Sequence, residues 1–166
     1  MGKTDGLHRK VGLAVVAALA LGAGPVPAAE AQSGCRGGNP MANVRDPGRL
    51  TVKSRCVSAS GVVRKTDRQH DGDLDILLRP DPKSAYLVDS GDRKQFGGAL
   101  LLEVVPADQA GCKKGQKVAF GVCTGAGLRA PKAGSHVTVT GPWVSDHGHE
   151  YPMHNEIHPV WAISSR

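Results

Sequence analysis

Hydrophobic positions along the chain fall into two regimes. Val11 to Ala23 is an apolar run of 13 residues, whereas beyond Leu50 apolar residues mostly recur at every second position. The second pattern is that of strands with one buried face. Leu50, Val52, Cys56, Val57, Val62 and Val63 mark a long β-rich segment, and Gly61 predicts a bulge or sharp bend within it. Across the polar tip Thr66 to Gly72, Leu74, Ile76 and Leu78 alternate with Asp73, Asp75 and Leu77 and predict a half-buried second strand. Ser84 to Val88 reads as a third strand, and Ala99 to Val105 is the strongest apolar one. Pro106, Gly111, Gly115, Gly121, Gly125, Gly127, Pro131 and Gly134 then break the pattern, leaving room for at most a short helix or strand. It resumes at His136, with Val137, Val139 and Trp143 on one face. A last strand sets Ile157, Trp161 and Ile163 inward, with Glu156 and His158 opposite.

A bent first strand, a hairpin, a third apolar strand, an irregular crossing and a final long-looped hairpin predict an all-β fold. The expected architecture is a small five-stranded OB-fold-like Greek-key barrel over residues 50–166. An immunoglobulin-like sandwich needs about seven strands and a Cys-Trp-Cys arrangement that these spacings do not supply. Residues 32–49 carry turn formers without apolar periodicity and read as an irregular lead. Gly 22 and Pro 11 make up about a fifth of the 166 residues, which requires frequent turns.

Residues 1–31 read as a secretory signal peptide cleaved between Ala31 and Gln32. Lys3, Arg9 and Lys10 precede the apolar run, and Ala29-Glu30-Ala31 offers a small-x-small cleavage site. Thirteen apolar residues fall short of the roughly 20 that a spanning helix needs, so no membrane span is expected. The segment holds three of the chain's 21 Lys+Arg and two of its 15 Asp+Glu, so the mature 135 residues carry a formal charge of about +5. No run of Lys or Arg concentrates that charge. All four cysteines lie after the cleavage site, and an even count in an exported chain reads as two disulfides. Without a C-x-x-C pair, structural zinc has little support. Of three pairings, Cys35–Cys56 and Cys112–Cys123 are favoured: the first ties the lead to the first strand, the second staples a Gly/Lys-rich loop.

Candidate chemistry concentrates in two places. Four of the six mature-chain histidines, His147, His149, His154 and His158, fall within twelve residues, interleaved with Asp146, Glu150 and Glu156. Imidazole and carboxylate are ligands that Zn²⁺, Ni²⁺ or Cu²⁺ accept. The rival reading is a solvated loop with locally paired histidines. The second place is His70-Asp71-Gly72-Asp73-Leu74-Asp75, first of all a tight turn. In an OB barrel the loop joining strands one and two and the loop joining strands four and five lie at one mouth. That topology would bring His70, Asp71 and Asp73 towards His147, His149, His154, Glu156 and His158. Arg64, Lys65 and Arg68 stand nearby as ligand-contacting residues.

The segments DGDLDI, GGALLLEVV, PKAGSHVTVTGPWVSD and NEIHPVWAI resemble an uncharacterised family of small exported bacterial proteins with an OB-like core and a closing His-rich E-I-H-P motif. The likeness covers residues 50–164 and implies fold and export, with no activity to carry over. In that family the loop before E-I-H-P is shorter and reads His-Gly-Trp, where this chain has His147-Gly148-His149-Glu150-Tyr151. DGD at the head of a strand is also similar to the secreted thermonucleases, where such an Asp binds Ca²⁺. The downstream Arg and Asp-Thr-Pro-Glu segment of that family have no counterpart here.

Three functions follow from these residues. The first is a secreted, monomeric, single-domain protein binding an extracellular ligand such as an oligonucleotide, a glycan or a protein, with a divalent-metal site at the barrel mouth. Six aromatic residues in the chain are few for stacking bases along a single strand, which weakens the nucleic-acid version. The second is a metal-dependent extracellular phosphodiesterase or nuclease, and the third a structural envelope protein without a chemical site. No G-x-S-x-G, H-E-x-x-H, P-loop or G-x-G-x-x-G motif occurs, so no catalytic residue is assigned. Mass spectrometry of the secreted protein should find a start near Gln32 and a gain of about four hydrogens on reduction, as two bridges require. Alkylation of the denatured, unreduced protein would overturn the disulfide reading.

Overall fold

The structure is a computed structural model that describes residues 1–2, 34–148 and 153–165. Residues 3–31 of the expected signal peptide, its cleavage site and His149 lie outside the described residues. Among the described residues eight strands and one α-helix follow in chain order: β1 (Leu50–Arg68), β2 (Leu74–Pro80), α1 (Ser90–Phe96), β3 (Leu100–Val104), β4 (Lys117–Val118), β5 (Gly121–Val122), β6 (His136–Asp146), β7 (His154–Ile157) and β8 (Ala162–Ser165). Six of the strands form one sheet, ordered β1-β2-β3-β7-β6-β8, which a further pairing of β1 with β6 turns into a ring. All its pairings are antiparallel except β3 with β7, where Leu101 lies beside Glu156 and Leu102 beside Ile157.

Strand β1 is long because it serves two ladders. It pairs with β6 over Leu50–Val62 and with β2 over Gly61–Arg68. The expected irregularity at Gly61 falls elsewhere, as the register shifts between Val52 and Ser54, Ser54 and Val57, and Val63 and Lys65. Gly61 is required for a different reason: a Cβ there would lie 2.2 Å from the carbonyl oxygen of Arg79 on β2. The ring interior is filled by the inward parity of each strand. Val57, Ala59 and Val63 meet Ile76, Leu78, Leu100, Leu102, Val104, Val137, Val139 and Ile157 in one buried cluster. Each such aliphatic side chain contributes about 1.5–3 kcal/mol on burial. The opposite parity of β2 and β3 carries Asp75, Leu77, Leu101 and Glu103 outward.

Two expected strands take other forms. Ser84 to Leu87 lies in a 3-10 helix, Pro82–Leu87, and extended Val88 leads through Asp89 into α1. Proline fixes the first turn, and the Asp89 and Asp92 side chains form a reciprocal capping box that starts α1. Gly97, left-handed at φ 61°, ends it. The last strand is split into β7 and β8, because the backbone of 158–161 turns to other partners: the His158 amide donates to Pro142 O, that of Val160 to Glu103 O and that of Trp161 to Thr140 O. The sheet therefore has six strands where five were expected.

Disulfides join Cys35 to Cys56 and Cys112 to Cys123, the favoured pairing, and no cysteine is left free. The N-terminal lead is well anchored. Val44 is buried with Val105 and Ala107, and the Arg36 guanidinium donates to both oxygens of Asp108 at 2.9 Å. Among the described residues no helix is long and apolar enough to cross a membrane. Replacing Gly61 by Ala should lower stability by about 1–3 kcal/mol, since the carbonyl it would strike is held in the β1–β2 ladder. Urea denaturation should show a lower midpoint at unchanged m-value, and an unchanged midpoint would contradict the close approach.

Candidate functional site

The outer parities of β2 and β3 and the strand ends around them form the floor of a cleft of about 630 Å³. The turn between β1 and β2 borders it through Gln69, His70 and Asp71, the segment after β6 through Gly148, and the lead through Arg45, Asp46 and Arg49. Lys65 and Asp67 of β1 close one side and pair at 2.6 Å. Phe96, at the end of α1, packs edge-on against the His154 ring, with centroids 5.2 Å apart. Asn155 ties β7 to the segment before α1 by donating from Nδ2 to Leu87 O at 3.0 Å.

Under this floor lies a chain of ionisable groups. Asp73, Glu156 and His158 are buried, the last two completely. His158 Nδ1 lies 2.8 Å from Glu103 Oε2 and 3.0 Å from Glu156 Oε1, and its Nε2 lies 3.9 Å from Asp73 Oδ2. His154 Nε2 lies 3.6 Å from Glu156 Oε2. Arg49 pairs with Asp146, and its second amino nitrogen is 3.9 Å from Glu103 Oε2. Glu103 and Arg49 thus join two three-residue groups, Asp73–Glu103–His158 and Asp146–His154–Glu156, each with its ligand-type atoms within 4.8 Å of one another.

Burial sets the protonation of these groups. It pushes the Asp73 carboxyl up to about 7, partly offset by His158, and the Asp75 carboxyl up to about 8, with Glu103 adding repulsion. For His158 burial works against the imidazolium, but the adjoining Glu103 and Glu156 outweigh it and hold the ring well above its ordinary range. Glu156 is the converse: burial would raise it, yet the His154 ring 3.6 Å away and the hydrogen bond with His158 keep it low. Arg49 stays charged, since Asp146, Glu103 and Glu156 together overcome its burial.

Of the residues singled out from sequence, Asp73, His154, Glu156 and His158 meet in this network, and His70, Asp71 and Lys65 line the cleft above it. Three turn to other partners. Arg64 donates to Phe96 O at the end of α1, Arg68 donates to Gln109 Oε1 at 2.7 Å, and exposed His147 sits with Nε2 3.2 Å from Thr51 Oγ1. Sequence reasoning missed Arg49 and Glu103, and gave Asp75, at the end of the acidic turn segment, no site role. Glu103 had a readable signal, as the single charge in the run Ala99–Val105, at the outward parity. Arg49 had none, because the lead has no periodicity.

Comparison with protein-family models, with curated proteins and with solved structures finds no match to this chain.

Asp73, Asp75 and Asp92, the last also pushed up by burial to about 7, keep their protons to higher pH when folded than at their ordinary 3.8. Between about pH 4 and 8 the unfolded chain then binds fewer protons, so stability falls as pH rises. His158 acts in the same sense, its contribution present below 6.5 and lost as pH climbs through its raised folded value. With chelator present, the urea midpoint should drop from pH 5 to pH 8. A midpoint that rises over that range would refute this protonation pattern.

Proposed function

We propose that the chain is an exported binding protein built on an OB-type barrel, and that the cleft at the barrel mouth takes a cation. The OB reading is supported by the ring β1-β2-β3-β7-β6, by the placing of the β1–β2 turn and the post-β6 segment at one cleft, and by the outer β2–β3 face as its floor, the surface such barrels use for ligands. Two disulfides support export, since such bridges persist in oxidising compartments.

The observation that carries the cation is a local reversal of charge. The whole chain is formally +6, yet the cleft is lined by the anions Asp46, Asp67, Asp71, Glu103 and Asp146 against Arg45, Arg49 and Lys65, besides Asp75, which keeps its proton to about pH 8. A bare phosphodiester backbone would meet repulsion on that floor. A second reading, metal-dependent phosphodiester hydrolysis, is favoured by Arg45 and Lys65, which would place cations beside a metal-bearing floor.

Isothermal titration of the mature, disulfide-intact protein with Zn²⁺, Mn²⁺, Ni²⁺, Cu²⁺ and Ca²⁺ tests the first reading. At least one ion should bind more tightly than about a millimolar, and at a hundred times its dissociation constant should add about 2.7 kcal/mol of stability. If none binds, the cation reading falls and the structural envelope role takes its place. Hydrolysis of bis(p-nitrophenyl) phosphate by the metal-loaded protein, and not by the chelated one, would promote the second reading.

A further inference from the structure

We propose that Asp73, Glu103 and His158 hold one divalent transition-metal ion of the Zn²⁺/Mn²⁺ class. The assignment rests on the cation-binding reading of the cleft and names the atoms that perform it. Asp73 stands at the head of β2, Glu103 on β3 and His158 just beyond β7, three neighbours in the ring, with ligand-type atoms within 4.8 Å of one another.

The decisive group is the His158 imidazole. It is wholly buried and held by its backbone amide on Pro142 O, with Nδ1 against Glu103 and Glu156. Nε2 is buried as well and has no hydrogen-bond partner; the acid it faces is Asp73, 3.9 Å away. That gap exceeds the roughly 2.7–3.2 Å of a hydrogen bond. It is just under twice the roughly 2.0–2.2 Å that zinc keeps from nitrogen and oxygen ligands, so an ion fits where a proton does not bridge. An imidazole that donates from Nδ1 to a buried carboxylate and turns Nε2 to a second acid has the carboxylate–histidine–metal arrangement, which fixes tautomer and ring orientation. Glu156, 3.0 Å from Nδ1, supplies the orienting carboxylate, and Glu103, 2.8 Å from the same nitrogen, leaves it to reach the ion when one binds. Glu103 is the group of the three that also lines the cleft, so a coordination position there opens toward solvent and ligand.

One imidazole with two carboxylates suits Zn²⁺ or Mn²⁺ better than Ca²⁺ or Mg²⁺, which prefer oxygen alone, or the thiolate-seeking Cu⁺. The companion group Asp146–His154–Glu156 takes no second ion, because the Arg49 guanidinium already pairs with Asp146 there. The expected stoichiometry is one ion per chain.

Three measurements on the mature protein decide the proposal. Titration with Zn²⁺ and Mn²⁺ should give one ion per chain. Asp73→Asn, nearly isosteric, should weaken binding by about 100-fold or more, while His147→Ala should leave it within about threefold. Substoichiometric Mn²⁺ should broaden the amide resonances of Asp73, Glu103 and His158 in the unaltered protein, a readout independent of how any variant folds. Binding that survives Asp73→Asn, broadening centred on His147, or two ions per chain would overturn the assignment and leave the cation-binding reading standing. Absence of binding to the unaltered protein would remove both.

Discussion

Strand β1 pairs with β6 along its first two thirds and with β2 along the remainder, and the ring exists because one continuous 19-residue strand does both. The changeover at Gly61 demands that β1 and Arg79 of β2 approach to within the radius of a side chain. Closure then sorts every residue of the participating strands by parity. The inward parity is apolar and fills the interior, and the ionisable residues of β2 and β3 stand on the outer face beside Leu77 and Leu101.

That sorting explains why the ionisable groups are concentrated. Asp75, Glu103, Asp146, His154 and Glu156 come from four different strands, yet all occupy one outer surface, which the lead and α1 then partly cover. Covering carboxylates is costly unless they are paired, and removal of one partner from a buried pair typically costs about 3–5 kcal/mol. Arg49 and His158 meet part of the demand from either end. The remaining cost of burial is visible in Asp73 and Asp75, whose carboxyls hold their protons to about pH 7 and 8.

Peripheral elements keep the network rigid. The lead is clamped by Cys35–Cys56, by Val44 in its own small apolar cluster and by Arg36 on Asp108, and this fixes the approach of Arg49. On the far side α1 sets Phe96 against His154, and Asp92 accepts from the Asn155 amide at 3.3 Å. Lysine 53 donates to Asn155 Oδ1 at 3.0 Å and lies over the Trp143 ring at 4.1 Å, closing the back of β7. The short strand β7 thus has a rigid frame although only four residues long.

Period-two alternation was enough to read β2 and β6, because a strand with one face in a core writes its geometry directly into residue order, while apolar density marked β1 and β3. The same reading placed Asp73, His154, Glu156 and His158 among the candidates, since they cluster in sequence with other acids and imidazoles. The helix α1 was legible in principle from Asp89-x-x-Asp92 and Gly97-Gly98, but its polar face lacks periodicity and the preceding apolar residues look like a strand. Tertiary structure alone decided which of the local candidates meet. His147 and His154 are seven positions apart, yet one turns to Thr51 in solvent and the other into the network. Glu103 and Arg49, from segments that showed no chemistry, are brought together because β3 runs parallel to β7 and the lead folds over the mouth. Residue order specifies which face a side chain takes, whereas long-range pairing determines what stands opposite it.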